Sequence, residues 1–93
     1  MSLSVSIVED NEQLRTTLAR VIDRAEGFRC VSHYGDAESA LEALPKVKPE
    51  VVLMDINLPG MNGVECVRRL KQLIPGTQIM MLTVYEDTDN IFN

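Results

Sequence analysis

The residues best suited to chemistry are three carboxylates that close two apolar runs: Glu9-Asp10 after Val5-Ser6-Ile7-Val8, and Asp55 after Val51-Val52-Leu53-Met54. The second run is rich in β-branched residues and lies between Pro49 and the loop Asn57-Leu58-Pro59-Gly60-Met61-Asn62-Gly63. That pattern predicts a strand buried on both faces, with Asp55 as its last residue. Ligands bind at the carboxyl ends of strands in open α/β sheets, so an acid there is placed for chemistry. The alternative at this point is that Asp55 only caps the loop, since Asp is a common turn residue. If the two strands are neighbours, three like charges crowd one sheet edge, each raising the others' pKa unless a cation lies between them. Oxygen ligands of this kind suit a hard divalent ion, and Mg²⁺ is held by one or two carboxylates together with a substrate phosphate. Asp10 and Asp55 would supply the carboxylates and the backbone carbonyl of Asn57 a third oxygen, with Glu9 acting through water. With its charge screened, Asp55 could attack phosphorus and form an aspartyl phosphate. Thr83, at the end of a fourth apolar run, would bring a hydroxyl to the same edge, within reach of a phosphoryl oxygen. Taken alone, it is an ordinary strand-end Thr.

The elements that must position these groups alternate between strand and helix. Val5, Ile7 and Val8 predict a first strand, with Met1-Ser2-Leu3 read as an appended leader. From Asn11, Leu14, Leu18, Val21, Ile22 and Ala25 recur at helical spacing, and Gly27 supplies a stop. A second strand covers Phe28 to Tyr34, followed by Asp36 as an N-cap and a helix on Ala37, Ala40, Leu41 and Leu44 that stops at Pro45. A third helix is marked by Val64, Val67, Leu70 and Ile74 and ended by Pro75-Gly76. The fourth strand is Gln78 to Thr83, and Glu86 to Asp89 with Ile91 and Phe92 reads as the start of a fourth helix. Strand starts at Ser4, Phe28, Val51 and Gln78 recur roughly every 25 residues, the rhythm of right-handed crossover units in a parallel sheet.

Composition narrows the function classes. A chain of 93 residues makes one domain, spanning 1–93, with a modest core. Its net charge of −5 argues against direct nucleic-acid binding, which wants a basic face. No apolar run is long enough for a membrane span and the first residues carry no secretory pattern, so the expected location is cytoplasmic. Cys30 and Cys66 lack metal-ligand spacing and read as small hydrophobes. His33 reads as a solvated strand residue, and Glu65 with Arg68, Arg69 and Lys71 as the wet face of a helix. Met54, Met80 and Met81 read as core filling, and Met61 as an exposed loop residue.

Glu9-Asp10 after a first strand, Asp55 with Asn57-Leu58-Pro59-Gly60-Met61-Asn62-Gly63 after a third, and Thr83 after a fourth together resemble the receiver domain of two-component response regulators. The resemblance spans nearly the whole chain. It implies a flavodoxin-like, doubly wound parallel sheet in the order 2-1-3-4. It also implies Asp55 as the phosphoacceptor, Glu9 and Asp10 as the acidic pair of a Mg²⁺ site, and Thr83 as the hydroxyl that reports phosphorylation. A histidine kinase would be the phosphodonor, and the chain would catalyse at most its own phosphorylation and dephosphorylation. The stretch Leu82-Thr83-Val84-Tyr85-Glu86-Asp87 is similar to receivers that precede LuxR-type DNA-binding output domains, which implies control of transcription.

Receivers usually have a fifth strand-helix unit whose Lys contacts the phosphoryl group, and the expectation for a chain ending at Asn93 is a receiver without it. Lys71, on a helix ahead of the fourth strand, is no substitute. Phosphotransfer would be slowed more than metal binding. The Ile79 to Leu82 strand would then present an apolar edge with no Lys or Pro to blunt it, and a homodimer through that edge is expected. Three rival functions share some of these features. A phosphatase of the haloacid-dehalogenase type needs a second acid two residues after the nucleophile, where this chain has Asn57. A flavodoxin-like FMN binder needs a phosphate loop where this chain has Glu9-Asp10. A non-phosphorylated pseudo-receiver would act as an interaction module only.

Overall fold

Alternation of β-branched runs with amphipathic stretches produces a four-stranded sheet and three helices. The computed structural model describes residues 2–82, so Thr83 and the expected fourth helix lie outside the described residues. The elements are β1 (Leu3–Val8), α1 (Glu12–Arg24), β2 (Phe28–Tyr34), α2 (Ala37–Val47), β3 (Val51–Asp55), α3 (Gly63–Leu73) and β4 (Gln78–Leu82). Each helix opens on an Asx cap: Asn11 accepts from the Leu14 amide, Asp36 from Ser39 and Asn62 from Glu65. Such caps satisfy amide donors that the first helical turn leaves without partners. All the strand pairings are parallel, as the crossover rhythm predicts, and the order is β2-β1-β3-β4, as the resemblance implies. Leu3 belongs to β1, where it pairs with Phe28, rather than to a leader.

The β1–β2 ladder carries one irregularity. Val5 lies opposite Cys30 and Ser6 opposite Ser32, so Val31 is an extra residue in β2. Ser6 and Ser32, brought opposite by this bulge, share a hydrogen bond of 2.7 Å.

The core is heavier on one face of the sheet, although Val5 and Ile7 are buried on the other. Val8, Val52 and Met54 of the sheet pack against Ala37, Ala40 and Leu44 of α2 and against Cys66, Leu70 and Ile74 after the β3–α3 loop. All but Ile74 of these are completely buried. Across the sheet, α1 has no fully buried residue. Its Val21, Ile22 and Ala25 flank an open apolar hollow of about 360 Å³ with Val5, Val51, Leu53, Phe28 and Met80. The expectation that β3 is buried on both faces is therefore corrected: Val52 and Met54 are buried, whereas Val51 and Leu53 remain half-buried under the thin α1 layer. Met80 and Met81 are exposed at the sheet edge rather than in the core, Met61 packs partly buried against the core, and Val64 faces outward. The rest of the expected face holds, with Leu70 and Ile74 buried and Val67 partly buried against the core, and α3 adds Gly63 and Cys66 to it. α2 runs past Pro45 to Val47, because the Lys48 amide still closes on the Leu44 carbonyl at 2.8 Å. None of the described helices is long and apolar enough to cross a membrane.

A core heavier on one face makes truncations unequal. Leu44→Ala should cost about 2–5 kcal/mol, whereas Val21→Ala on the thin side should cost under about 1 kcal/mol, both read from urea unfolding.

Candidate functional site

Parallel pairing of β1 with β3 sets Val8 opposite Met54, so the residues that follow, Glu9-Asp10 and Asp55, emerge together at one sheet edge. One carboxylate oxygen from each of Glu9, Asp10 and Asp55 can be chosen so that all lie within 4.8 Å of one another. Glu9 and Asp55 are buried, only 2% and 5% exposed, while Asp10 is exposed. The sequence reading of three acids from two distant strands meeting at one point is what the fold delivers.

Local backbone geometry fixes both buried acids in the same way. Asp55 Oδ1 accepts from the Asn57 amide at 3.0 Å, and Glu9 Oε2 accepts from the Asn11 amide at 2.9 Å. In each case a side chain folds back on the amide two residues ahead, the turn that short acidic side chains favour. The Glu9 amide donates to the Tyr34 carbonyl at 3.0 Å and that of Ile56 to Leu82 at 3.3 Å, extending the sheet ladder into the site. Asn57 lies exposed in the loop directly behind Asp55. Thr83 follows β4, outside the described residues, immediately after Leu82, which pairs with Asp55.

The loop behind Asp55 returns tightly enough to demand glycine. A Cβ on Gly63 would fall on the Asp55 carbonyl oxygen and lie 2.9 Å from the Ile56 Cα. The Gly63 amide donates to the Ile56 carbonyl at 3.3 Å, so the start of α3 rests directly on the Asp55 backbone. Gly60, at φ +71°, takes the left-handed position of the preceding turn.

The electrostatics are those of crowded acids. Burial pushes Glu9 from its ordinary 4.5 up to about 7, the nearby Asp10 and Asp55 carboxyls push it further the same way, and the Asn11 amide opposes them. A proton on Glu9 relieves the repulsion, and so would a divalent cation. The donor set is all oxygen, buried on two sides and open at Asp10, which fits a hard ion that keeps part of its water shell.

One residue near this cluster was not picked out by sequence reasoning. Arg15 of α1 donates from Nη1 to the Glu9 carbonyl at 3.0 Å and from Nε to His33 Nδ1 at 3.2 Å. The available signal was electrostatic, since a cation early in a helix opposes the helix dipole and calls for a nearby anion. His33 is exposed as expected, but it serves as an acceptor. Elsewhere the expectations hold. Glu65 pairs with Arg68 at 2.6 Å and Arg69 at 3.3 Å on the wet face of α3, and these guanidiniums hold its carboxyl down at about 2. Both cysteines are free thiols, and Cys66 is buried in the core, which raises its thiol to about 11.

Comparison with known proteins agrees with this geometry. The family described as the response regulator receiver domain matches residues 5–93. The chain is 34% identical over 85 residues to the transcriptional regulatory protein DegU of Brevibacillus brevis, covering 91% of this chain and 36% of that protein. It is 33% identical over 85 residues to the response regulator GacA of Pseudomonas aeruginosa, covering 91% of this chain and 40% of that one. The chain thus spans less than half the length of these curated relatives. Among solved structures, a LuxR-family two-component response regulator from Aurantimonas sp. superposes with a TM-score of 0.85 at 26% identity, covering 99% of this chain and 66% of that one. The response regulator domain of Thermotoga maritima CheB superposes with a TM-score of 0.81 at 28% identity, covering 98% and 69%.

Glu9 gives the site a pH signature. Between 4.5 and about 7 the folded protein holds a proton that the unfolded chain has released, so this contribution to stability is complete below 4.5 and lost as pH rises through about 7. In chelator, the unfolding midpoint should fall between pH about 5 and about 8, and Glu9→Gln should flatten that slope. Gly63→Ala should cost about 1–3 kcal/mol by forcing α3 off the Asp55 backbone, read by denaturant unfolding.

Proposed function

Because this chain belongs to the response regulator receiver domain family, we propose that it accepts a phosphoryl group on Asp55 from a histidine kinase and uses the resulting aspartyl phosphate to control an output domain. The observation that carries this reading is the convergence of Glu9, Asp10 and Asp55 within 4.8 Å from the ends of neighbouring parallel strands. A carboxylate oxygen of Asp55 bonds to phosphorus as the bond between phosphorus and the donor's leaving group breaks. The amide of Asn57 holds the other carboxylate oxygen, which aims the nucleophile. Asp10, Asp55 and the backbone carbonyl of Asn57 would hold Mg²⁺, with Glu9 acting through water. When bound, the ion neutralises charge on the phosphoryl oxygens. Thr83, next in sequence to Leu82, is the proposed hydroxyl that hydrogen-bonds the phosphoryl group.

The kinship with DegU and GacA supports transcription as the controlled output, in the cytoplasm, through a domain other than this one. Chemistry on this chain is confined to its own phosphorylation and dephosphorylation. The haloacid-dehalogenase alternative lacks its general acid, because Asn57 stands two residues after the nucleophile. For assembly, among the described residues β4 pairs only with β3 and exposes Met80 and Met81. This supports a second copy adding along that edge.

Incubation with Mg²⁺ and acetyl phosphate, followed by intact mass measurement, should give a hydroxylamine-labile phosphoryl adduct in the wild type and none in Asp55→Asn. An adduct that survives Asp55→Asn, or a wild type that takes none, would refute the assignment. Light scattering at micromolar concentration should report a dimer, and a monomer would refute pairing along β4.

A further inference from the structure

We propose that Arg15 is a positioning residue for the acidic site, clamping the peptide bond between Glu9 and Asp10 so that Asp10 is held beside Asp55. The inference rests on the function proposed above.

Glu9 is fixed through three polar groups. Its amide donates to the Tyr34 carbonyl at 3.0 Å, and its carboxylate accepts from the Asn11 amide at 2.9 Å. Its carbonyl accepts from Arg15 Nη1 at 3.0 Å. That carbonyl shares a rigid plane with the Asp10 amide, so fixing its direction fixes the direction in which the chain leaves for Asp10. Asp10 needs this support more than its partners do. Glu9 and Asp55 are buried and locked by packing, whereas Asp10 is exposed.

Arg15 is in turn held on two sides. Nε donates to His33 Nδ1 at 3.2 Å, and Nη1 lies where a Cβ on Gly35 would be 3.0 Å away, so the absence of a side chain there leaves room for the guanidinium. Two donors on different nitrogens of one planar group reach two acceptors at once, a geometry that a lysine ammonium does not reproduce. The guanidinium also sets a fixed positive charge behind the Glu9 carbonyl. Charge alone and clamping make different demands on the side chain, which gives the test.

Mg²⁺ affinity of the chelator-stripped protein is measured by calorimetry for wild type, Arg15→Ala and Arg15→Lys, together with the rate of phosphorylation by acetyl phosphate at saturating Mg²⁺. Groups that orient metal ligands typically contribute about tenfold or more to affinity, so Arg15→Ala should weaken Mg²⁺ binding by about tenfold. The rate at saturating Mg²⁺ should fall far less, a split that general destabilisation would not produce. Arg15→Lys should recover only part of the affinity. Should Arg15→Ala fail to fold, His33→Ala removes one arm of the clamp at an exposed position and should weaken binding in the same direction by a smaller factor. Affinity within twofold of wild type in Arg15→Ala, or in His33→Ala where that variant stands in, would overturn the clamp, as would full recovery in Arg15→Lys. A wild type that binds no Mg²⁺ and takes no phosphoryl group would instead overturn the function on which the inference rests.

Discussion

Mutual repulsion among three carboxylates is the constraint on which the rest of the structure depends. Glu9 and Asp55 are buried, where an unpaired charge is expensive, and Asp10 stands close enough to share an ion with both. A fold under no functional demand would place apolar or hydroxyl groups at these positions. Here the parallel pairing of β1 with β3 delivers the acids side by side, backbone amides from Asn11 and Asn57 hold one oxygen each, and the guanidinium of Arg15 lies behind the Glu9 carbonyl. The cluster is held by these amides, and its all-oxygen donor set is of the kind that fits a hard cation.

The stability that tolerates this strain comes from the other side of the sheet. Leu44, Val52, Met54, Cys66 and Leu70 are completely buried between the sheet and α2 with α3, whereas α1 covers its own face thinly. The helix that lies behind the acidic site is therefore the one of the three with no fully buried residue. Its anchoring is partly polar, through the Asn11 cap, the Arg15 bridge and the Cys30 amide on Asp23.

Much of the fold was legible because its signals are local. Asp55 at the end of an apolar run, Asn11 and Asp36 as caps, and the spacing of strand starts each follow from one-dimensional patterns, and parallel topology then forces the acids together. What was misread depended on neighbours that a local pattern does not carry. Met80 and Met81 look like core residues by hydropathy, but among the described residues they lie on the outermost strand and are exposed. Val64 fits the helical period, yet it is 59% exposed, and Cys66, outside the expected set, is buried. Pro45 reads as a stop, and the helix outruns it because one amide beyond, that of Lys48, still finds its carbonyl. Arg15 escaped notice because its partners are a main-chain oxygen and a ring nitrogen on another strand, which no motif encodes.

The extra residue in β2 acts as a frameshift for side-chain facing. Paired residues of parallel strands project to the same side of a sheet, and successive residues alternate. With Val31 present, Ser32 joins Ser6 on the α2 side and His33 joins Ile7 on the α1 side. Pairing Val31 in register with Ser6 would instead swap the two, setting Ser32 opposite Ile7 and His33 opposite Val8, so that the imidazole faces the wrong layer and the Ser6 hydroxyl loses its hydroxyl neighbour. A single bulged residue, silent in every hydropathy pattern, thus keeps His33 on the side where the α1 guanidinium meets it.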